Sequence, residues 1–416
     1  MALAEYAAAF RSRNILIVMV LGFSSGLPLA LTAGTLQAWL AVEGVDIVTI
    51  GWFALVGQPY TYKFLWAPLM DRFQLPFLGR RRGWLAATQV ALLALIGCLG
   101  TLSPKDSPWL TALCALAIAF LSASQDIVID AYRTDILRAE ERGAGAAVSV
   151  LGYRIAMLVS GAGALIIADQ WLGWNAMYWA MSALMLVGFI ATWFALEPPG
   201  AAAAPKTLRD AVRLPLAEFF SRHGAWWLLL LVVLYKLGDA FAGNLTTAFL
   251  LRGPGFSATE VGAISKGFGL AATIAGALAG GALMAKLRLY RALMLFGILQ
   301  AVTNLGFMVL AAAGKSYPML YAVIGAENLC GGMGTAAYVA LLMALCDRRF
   351  SATQYALLSA LSAIGRVYVG PIAGYLVGSL GWAAFFFCTF LIALPGIFML
   401  YAMRRTIEAL DSRPVT

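Results

Sequence analysis

The chain has 416 residues, 62% hydrophobic and 12% charged, with 29 Lys and Arg against 20 Asp and Glu and one histidine. Soluble domains carry about a quarter charged residues, so this composition excludes an ordinary soluble enzyme and points to a chain embedded in a membrane. The formal net charge of +9 does not imply nucleic acid until the positions of the positive residues are known.

In chain order, apolar stretches long enough for a hydrocarbon core of about 30 Å predict twelve spans, at 14–41, 48–70, 83–102, 108–136, 144–168, 174–195, 224–251, 257–285, 289–313, 317–346, 351–379 and 382–403. They are expected to be helices, because backbone in lipid must satisfy its own hydrogen bonds. The first run is too long for a cleaved leader and lacks a small-residue cleavage pattern, so it reads as the first span. Twenty Lys and Arg, from Arg11, Arg13 and Arg72 to Arg404, Arg405 and Arg413, flank the N-terminus, the even-numbered connections and the C-terminal tail. Only Lys105, Arg252 and Lys315 flank the opposite side. Both termini are therefore expected in the cytoplasm, and the excess charge is an orientation signal.

The longest polar interruption runs from Glu197 to His223. Its "EPPGAAAAPK" opening reads as flexible, and "TLRDAVRLPLAEFF" sets Leu208, Val212, Leu216 and Phe219 at helical spacing, as in a helix lying on the membrane surface. The expected organisation is a six-helix bundle over 1–196, a cytoplasmic linker with an amphipathic helix over 197–223, and a second six-helix bundle with a short tail over 224–416. The halves echo one another: "LGWNAMYW" at Leu172 matches "LGWAAFFF" at Leu380, and "EGVDIVTIG" at Glu43 matches "PGFSATEVG" at Pro254. Two six-helix halves in parallel duplication resemble the major facilitator superfamily, which implies a substrate site between the halves near the midplane. The fold class expected is an all-α integral membrane protein of twelve transmembrane helices with that fold.

The loop between spans 2 and 3, "MDRFQLPFLGRRRGWL", is dense in charge. It resembles the superfamily's Gly-x-x-x-Asp-Arg-x-Gly-Arg-Arg pattern, with Asp71 and Arg72 on the acid-base pair and Gly79 to Arg82 on the basic end. "FQLPFL" is inserted, and Ala67 replaces the leading Gly. Asp71, Arg72, Arg80, Arg81, Arg82 and Arg142 are the candidate gating residues, since a carboxylate at a helix end accepts bonds from a neighbouring helix N-terminus and from arginines. Fixing topology is the plainer role for the same arginines.

Ionisable groups inside spans are costly and mark function by default. Span 4, "SASQDIVIDAYRTD", puts Asp126, Asp130 and Arg133 on one helical face. Asp126 falls about 15 Å above the cytoplasmic helix end. These three and Asp239 are the candidates for proton coupling, against the alternative of an ion pair that only holds helices together. Gln37, Gln125, Arg154, Lys236, Lys266, Gln300, Glu327, Asn328 and Arg366, with Lys63 and Asn304, are the other polar groups in spans, and the first nine are the substrate-binding candidates. Several Lys and Arg suit a substrate bearing carboxylates, and amides suit sugar or peptide, although each base could pair internally, Lys236 with Asp239 most obviously. Gly26, Pro28 and Gly34 are expected to interrupt span 1, and Pro371 lies inside span 11. Span 5 has Gly161 and Gly163 but no Gly-Pro pair of the kind common in the superfamily's antiporters, which favours symport. Cys98, Cys114, Cys330, Cys346 and Cys388 show no CxxC spacing and His223 stands alone, so no metal site and no cofactor is expected.

Longer stretches carry a narrower resemblance: "GFSSGLPLALTAGTLQAW", "KFLWAPLMDRF", "SASQDIVIDA", "EERGAGAAVSVLGYR", "LYKLGDAFA", "ENLCGGMGTAA" and "SATQYALLSALSAIGRVYVGP". They resemble the AmpG muropeptide permease family of Gram-negative bacteria from Gly22 to Pro371. The resemblance implies a proton-driven inner-membrane importer, functional as a monomer, of anionic sugar-peptides released from peptidoglycan, feeding cell-wall recycling and the signal that induces β-lactamase. Some members of that family continue into further C-terminal spans, whereas this sequence ends after the twelfth with "RRTIEALDSRPVT". A carrier of another oligopeptide, sugar or drug is the alternative. An intramembrane enzyme, an ATP-driven pump and a channel are disfavoured by the missing nucleophile-base pair, the missing Walker motif and the two-half repeat.

Overall fold

The structure is a computed structural model and describes residues 12–67, 70, 73–137, 142–197, 217–221, 224–284, 286–345 and 351–411. Among the described residues, helical segments fall within each of the predicted spans, and nine helical runs are long and apolar enough to cross a membrane. One of these, Val148–Phe194, carries spans 5 and 6 together. The spans outside the nine are span 2, which is broken into pieces, and span 10, Tyr317–Ala344, whose centre holds the polar "ENLCGGMGT". Large apolar side chains such as Leu278, Phe398 and Trp226 stand on the surface, which is how a protein solvated by lipid presents itself. The chain is a multi-pass membrane protein. The expected linker helix over 208–219 lies outside the described residues up to 216, and 217–221 are helical.

The chain divides into two compact units, one within Met1–Val45 and Val56–Ala204, the other within Asp46–Leu55 and Pro205–Thr416. In the first, span 1 runs as helix Arg13–Thr32 straight through Pro28, breaks at Ala33 (φ −116°, ψ −106°) and resumes as Gly34–Val42. Of the interruptions expected at Gly26, Pro28 and Gly34, the helix runs through the first two and breaks beside Gly34. Side chains satisfy the loosened carbonyls, as a membrane interior requires: Thr32 Oγ1 donates to Pro28 O (3.2 Å), Tyr178 Oη to Leu31 O (2.8 Å) and Thr35 Oγ1 to Ser160 O (2.6 Å). Gly26 has a different task. A Cβ there would lie 2.6 Å from the Tyr153 carbonyl oxygen, so glycine is what lets span 1 press against span 5. Span 5 itself, Arg142–Met157, widens into π-helical turns at Leu158–Gly163 and Ala168–Leu172 before Gly173 (φ +72°) turns the chain into span 6, Gly173–Phe194. Trp39 stacks on Trp174 with centroids 6.2 Å apart, and Ile15, Leu21, Leu85, Val128 and Tyr132 form the buried core below.

Span 2 is not the single helix over 48–70 that hydropathy predicts. Helix Ile47–Trp52 gives way to a 3-10 stretch Phe53–Gly57, a short helix Gln58–Tyr62 and a second 3-10 turn Lys63–Leu65. Asp46 starts the first piece, its carboxylate accepting from the amides of Val48 and Thr49, both at 3.0 Å. Partial burial works to raise this carboxyl, but those hydrogen bonds and the nearby charge of Arg252 outweigh it and hold it below the ordinary carboxylate value. Gly51 meets Gly370 and Gly374 of span 11 so closely that a Cβ on Gly51 would lie 2.5 Å from Gly370 O.

The second unit repeats the theme of interrupted helices. Span 7 is three pieces, Ala225–Tyr235, Leu237–Asn244 and Thr246–Arg252, with breaks at Lys236 and Leu245. Span 8 opens on a capping box between Ser257 and Glu260, winds as a π-helix over Val261–Phe268 and continues as Gly269–Met284. Spans 9, 11 and 12 are Leu289–Ala313, Ser351–Leu380 and Trp382–Ala402, the last two containing Pro371 and Pro395 without a break. Tyr235 and Tyr338 stack at 5.7 Å and donate to the carbonyls of Leu293 and Val232, so each buried ring finds a partner for its hydroxyl. Lys315, in the connection before span 10, bonds Glu260 at 3.0 Å, and that bond holds its ammonium above the usual lysine value. Cys98, Cys114, Cys330 and Cys388 are free thiols, and Cys346 lies outside the described residues, as does His223.

Candidate functional site

Span 4, Pro108–Ile136, is the long regular helix of the first unit and carries its acids in register. Asp126 accepts a hydrogen bond from Ser25 Oγ at 2.5 Å and faces Lys63 Nζ at 3.9 Å. One turn on, Asp130 pairs with Arg133 at 3.1 Å, and Arg133 also donates to Ser149 Oγ at 3.2 Å, which ties span 4 to span 5. Gln125 is fully buried, accepts from Ser24 Oγ at 3.4 Å, and its Nε2 has no hydrogen-bond partner among the described residues. Gln37 lies partly buried on Gly34–Val42. The sequence thus identified Asp126, Asp130 and Arg133 as one face, but its partner in space is Lys63, which span 2 presents from the start of a 3-10 turn.

The second unit gathers more of the predicted residues. Lys236 Nζ bonds Asp239 Oδ2 at 3.0 Å and reaches Gln300 Oε1 and Thr335 Oγ1 at 3.5 Å each, while Gln300 Nε2 donates to the same Asp239 oxygen. Lys266 Nζ donates to Thr247 Oγ1 at 2.9 Å, and Glu327 lies within electrostatic reach of Lys236, Asp239 and Lys266. Asn328 donates to Glu327 Oε2 at 2.8 Å and accepts from Thr273 Oγ1 at 2.9 Å. Two bases and two acids from spans 7, 8 and 10 therefore form one charge-balanced cluster, with Gln300 of span 9 inside it. Internal pairing, the plainer reading of Lys236, is what the geometry shows for that residue.

The three interior lysines share a backbone signature. Lys63 begins a 3-10 turn, Lys236 sits at the break between two helices of span 7, and Lys266 lies in the π-helical stretch of span 8. Such irregular turns free backbone groups and re-aim side chains, and they collect at functional positions. Arg154 differs. It is exposed on the face of span 5 that also carries Val150, Leu151, Ile155 and Leu158, its side chain contacts Met157 Sδ at 3.7 Å, and among the described residues it has no acidic partner. An unpaired guanidinium inside a span belongs in a water-filled path rather than in lipid. Arg366 lies on helix Ser351–Leu380, but its side chain is outside what the structure describes.

The charged loop resolves into partners the sequence did not single out. Arg81 Nε bonds Asp135 Oδ2 at 2.9 Å, Arg80 lies 4.0 Å from the same oxygen, and the amides of Arg81 and Arg82 donate to the two carboxylate oxygens of Glu197 at 2.8 and 3.1 Å. Arg82 in turn donates to the carbonyls of Thr192 (3.2 Å) and Trp193 (2.7 Å). Glu197 thereby caps the start of span 3, Arg80–Leu99, whose own N-cap is Gly79 (φ +87°), and Arg82 caps the end of span 6. These partners of Arg80, Arg81 and Arg82 lie at the ends of spans 4 and 6, in the same half. Asp71 and Arg72, and the side chain of Arg142, lie outside the described residues. Asp135 ends the quoted span-4 string and Glu197 opens the linker. An acid at the cytoplasmic end of a span in a chain this rich in cytoplasmic arginine was the available signal.

The Major Facilitator Superfamily model matches residues 15–316. The chain is 58% identical over 405 residues to the "Anhydromuropeptide permease" of Escherichia coli strain K12, covering 97% of this chain and 82% of that protein. It is 33% identical to the "Putative transporter AmpG 4" of Rickettsia felis, covering 96% and 98% of the two chains. Among solved structures, a bacterial homologue of the human lysosomal transporter Spinster, in an inward-facing and unoccupied conformation, superposes with a TM-score of 0.75 at 16% identity, covering 98% of this chain and 99% of that one. The last shares the fold alone; the sequence relatives carry more. The chain belongs to the Major Facilitator Superfamily, and within it to the AmpG family of permeases.

Proposed function

We propose that this permease imports anhydromuropeptides, N-acetylglucosaminyl-1,6-anhydro-N-acetylmuramyl peptides, across the bacterial inner membrane in symport with protons, for peptidoglycan recycling and β-lactamase induction. The observation that carries this reading is the 58% identity, along 97% of the chain, to a protein named for that substrate. The interior chemistry supports it. Arg154 offers a planar, unpaired fork for a carboxylate of the stem peptide. Lys236, Lys266, Gln300, Glu327 and Asn328 offer a polar, charge-balanced surface to sugar hydroxyls and amides, with Gln37, Gln125 and Arg366 as further contacts. Asp126, with Asp130 and Arg133 below it, and Asp239 are the groups that take and release the proton. Asp71, Arg72, Arg80, Arg81, Arg82 and Arg142 govern the cytoplasmic gate. The six-helix bundles span 1–196 and 224–416, the linker 197–223 and both termini face the cytoplasm, and the transporter works as a monomer.

The test is uptake of labelled anhydromuropeptide by proteoliposomes with an imposed inward proton gradient. Accumulation that collapses with a protonophore is the expected result. No uptake of muropeptide, with gradient-driven uptake of a plain oligopeptide, sugar or drug, would hand the assignment to a carrier of that solute.

A further inference from the structure

Lys63 is left over when the expected coupling and substrate residues have been placed, yet among the described residues it is the one base within ion-pair distance of Asp126. The pair is loose, at 3.9 Å, while Ser25 holds the other carboxylate oxygen at 2.5 Å. Its two ends differ in surroundings: the Lys63 side chain is 36% exposed and that of Asp126 16%. Within a span, an ammonium so exposed stands against water rather than hydrocarbon. The segment that carries Lys63 alternates short helix and 3-10 turns from Phe53 to Leu65, so few intrahelical bonds resist a small movement of its side chain. The other groups around Asp126 are Tyr60 from span 2, within electrostatic reach and itself near Tyr153 of span 5, and Asp130 on its own helix, already paired with Arg133.

We infer that Lys63 converts proton binding at Asp126 into anion binding: the ionised carboxylate holds the ammonium, and an outside proton taken up by Asp126 releases it to a carboxylate of the substrate. The inference rests on the muropeptide-symport reading. On release of substrate, Lys63 returns to Asp126 and the proton leaves to the cytoplasm, so one proton and one anionic group travel together.

Binding of a labelled anhydromuropeptide to the detergent-purified full chain, measured between about pH 5 and 8, tests this against the same compound with its carboxylates amidated. Wild-type affinity should rise as pH falls, for the acidic compound only. Lys63→Gln should abolish that rise and weaken acidic-compound binding about tenfold or more, as for loss of a charge-assisted bond, while the amidated compound binds as to wild type. Lys63→Arg should restore much of the effect. Asp126→Asn, which mimics the protonated acid, should bind the acidic compound tightly at every pH, and adding Lys63→Gln to it should remove that gain. A Lys63→Gln protein that is monodisperse and keeps the wild-type pH dependence would overturn the role of Lys63. Wild-type protein that binds neither compound would instead overturn the substrate assignment.

Discussion

Glu197→Ala removes the acceptor of two backbone amides at the start of span 3, at 2.8 and 3.1 Å. Hydrogen bonds to a charged group contribute about 1.5–3 kcal/mol each when buried, and a lost N-cap typically costs about 0.5–2 kcal/mol. The site is half-buried and the freed amides gain partial access to water, so the lower end applies to the pair together, about 2 kcal/mol. For a bundle of about 200 residues each kcal/mol moves the midpoint by about 2–4 °C, giving a loss of about 4–8 °C. Glu197→Gln keeps an acceptor but not the charge and should fall about halfway. Arg82→Ala uncaps the end of span 6 and should cost a similar amount, and the double variant should be less than additive because both residues clamp the same two helix ends. Thermal unfolding in mild detergent, read by size-exclusion fluorescence, gives the ranking. A Glu197→Ala midpoint within about 1 °C of wild type, or strict additivity with Arg82→Ala, would refute reciprocal capping.

Three further outcomes follow from other elements. Gly26→Val pushes side-chain carbon into the Tyr153 carbonyl and should destabilise by about 1–3 kcal/mol through overpacking, seen as a lowered midpoint, whereas Gly44→Val, at a glycine with open space around it, should reduce stability only through its positive φ. Asp46→Asn should lower the midpoint at neutral pH by weakening the cap on Ile47–Trp52. Because the folded carboxyl is held below its ordinary value, this stabilisation is present above about pH 4 and is lost as pH falls through the folded pKa, so the difference between wild type and variant should shrink in acid. Lys236→Met leaves Asp239 with Gln300 as its remaining hydrogen-bond partner among the described residues, in a half-buried site, and should cost more stability than Lys236→Met with Asp239→Met, since an uncompensated charge is worse than none. Equal midpoints for the single and double variants would show that the pair is not coupled.

Much of this architecture was legible because lipid imposes one rule, that backbone bonds to itself, on long apolar runs. Spans 3, 4, 9 and 12 follow their hydropathy closely. The breaks were harder to read. Of the three residues expected to interrupt span 1, Gly26 and Pro28 lie inside unbroken helix, and the backbone turns at Ala33, beside Gly34. Nothing in "LYKLGDAFA" marks Lys236 as a helix boundary, nor that Gly238 beyond it packs closely on Ala393 of span 12. Candidate residues on one helix, such as Asp126 and Asp130, could be grouped by periodicity. Their partners, Lys63, Asp135 and Glu197, come from other helices, and helical spacing carries no information about those.

Asp126 is the residue proposed to couple proton movement to transport. Asp126→Asn, reconstituted beside wild type at matched amounts of folded protein, should exchange labelled for unlabelled anhydromuropeptide at a near-normal rate without a gradient while losing accumulation driven by an imposed pH gradient. If the variant accumulates substrate under the gradient as wild type does, Asp126 is a structural acid and the coupling lies elsewhere.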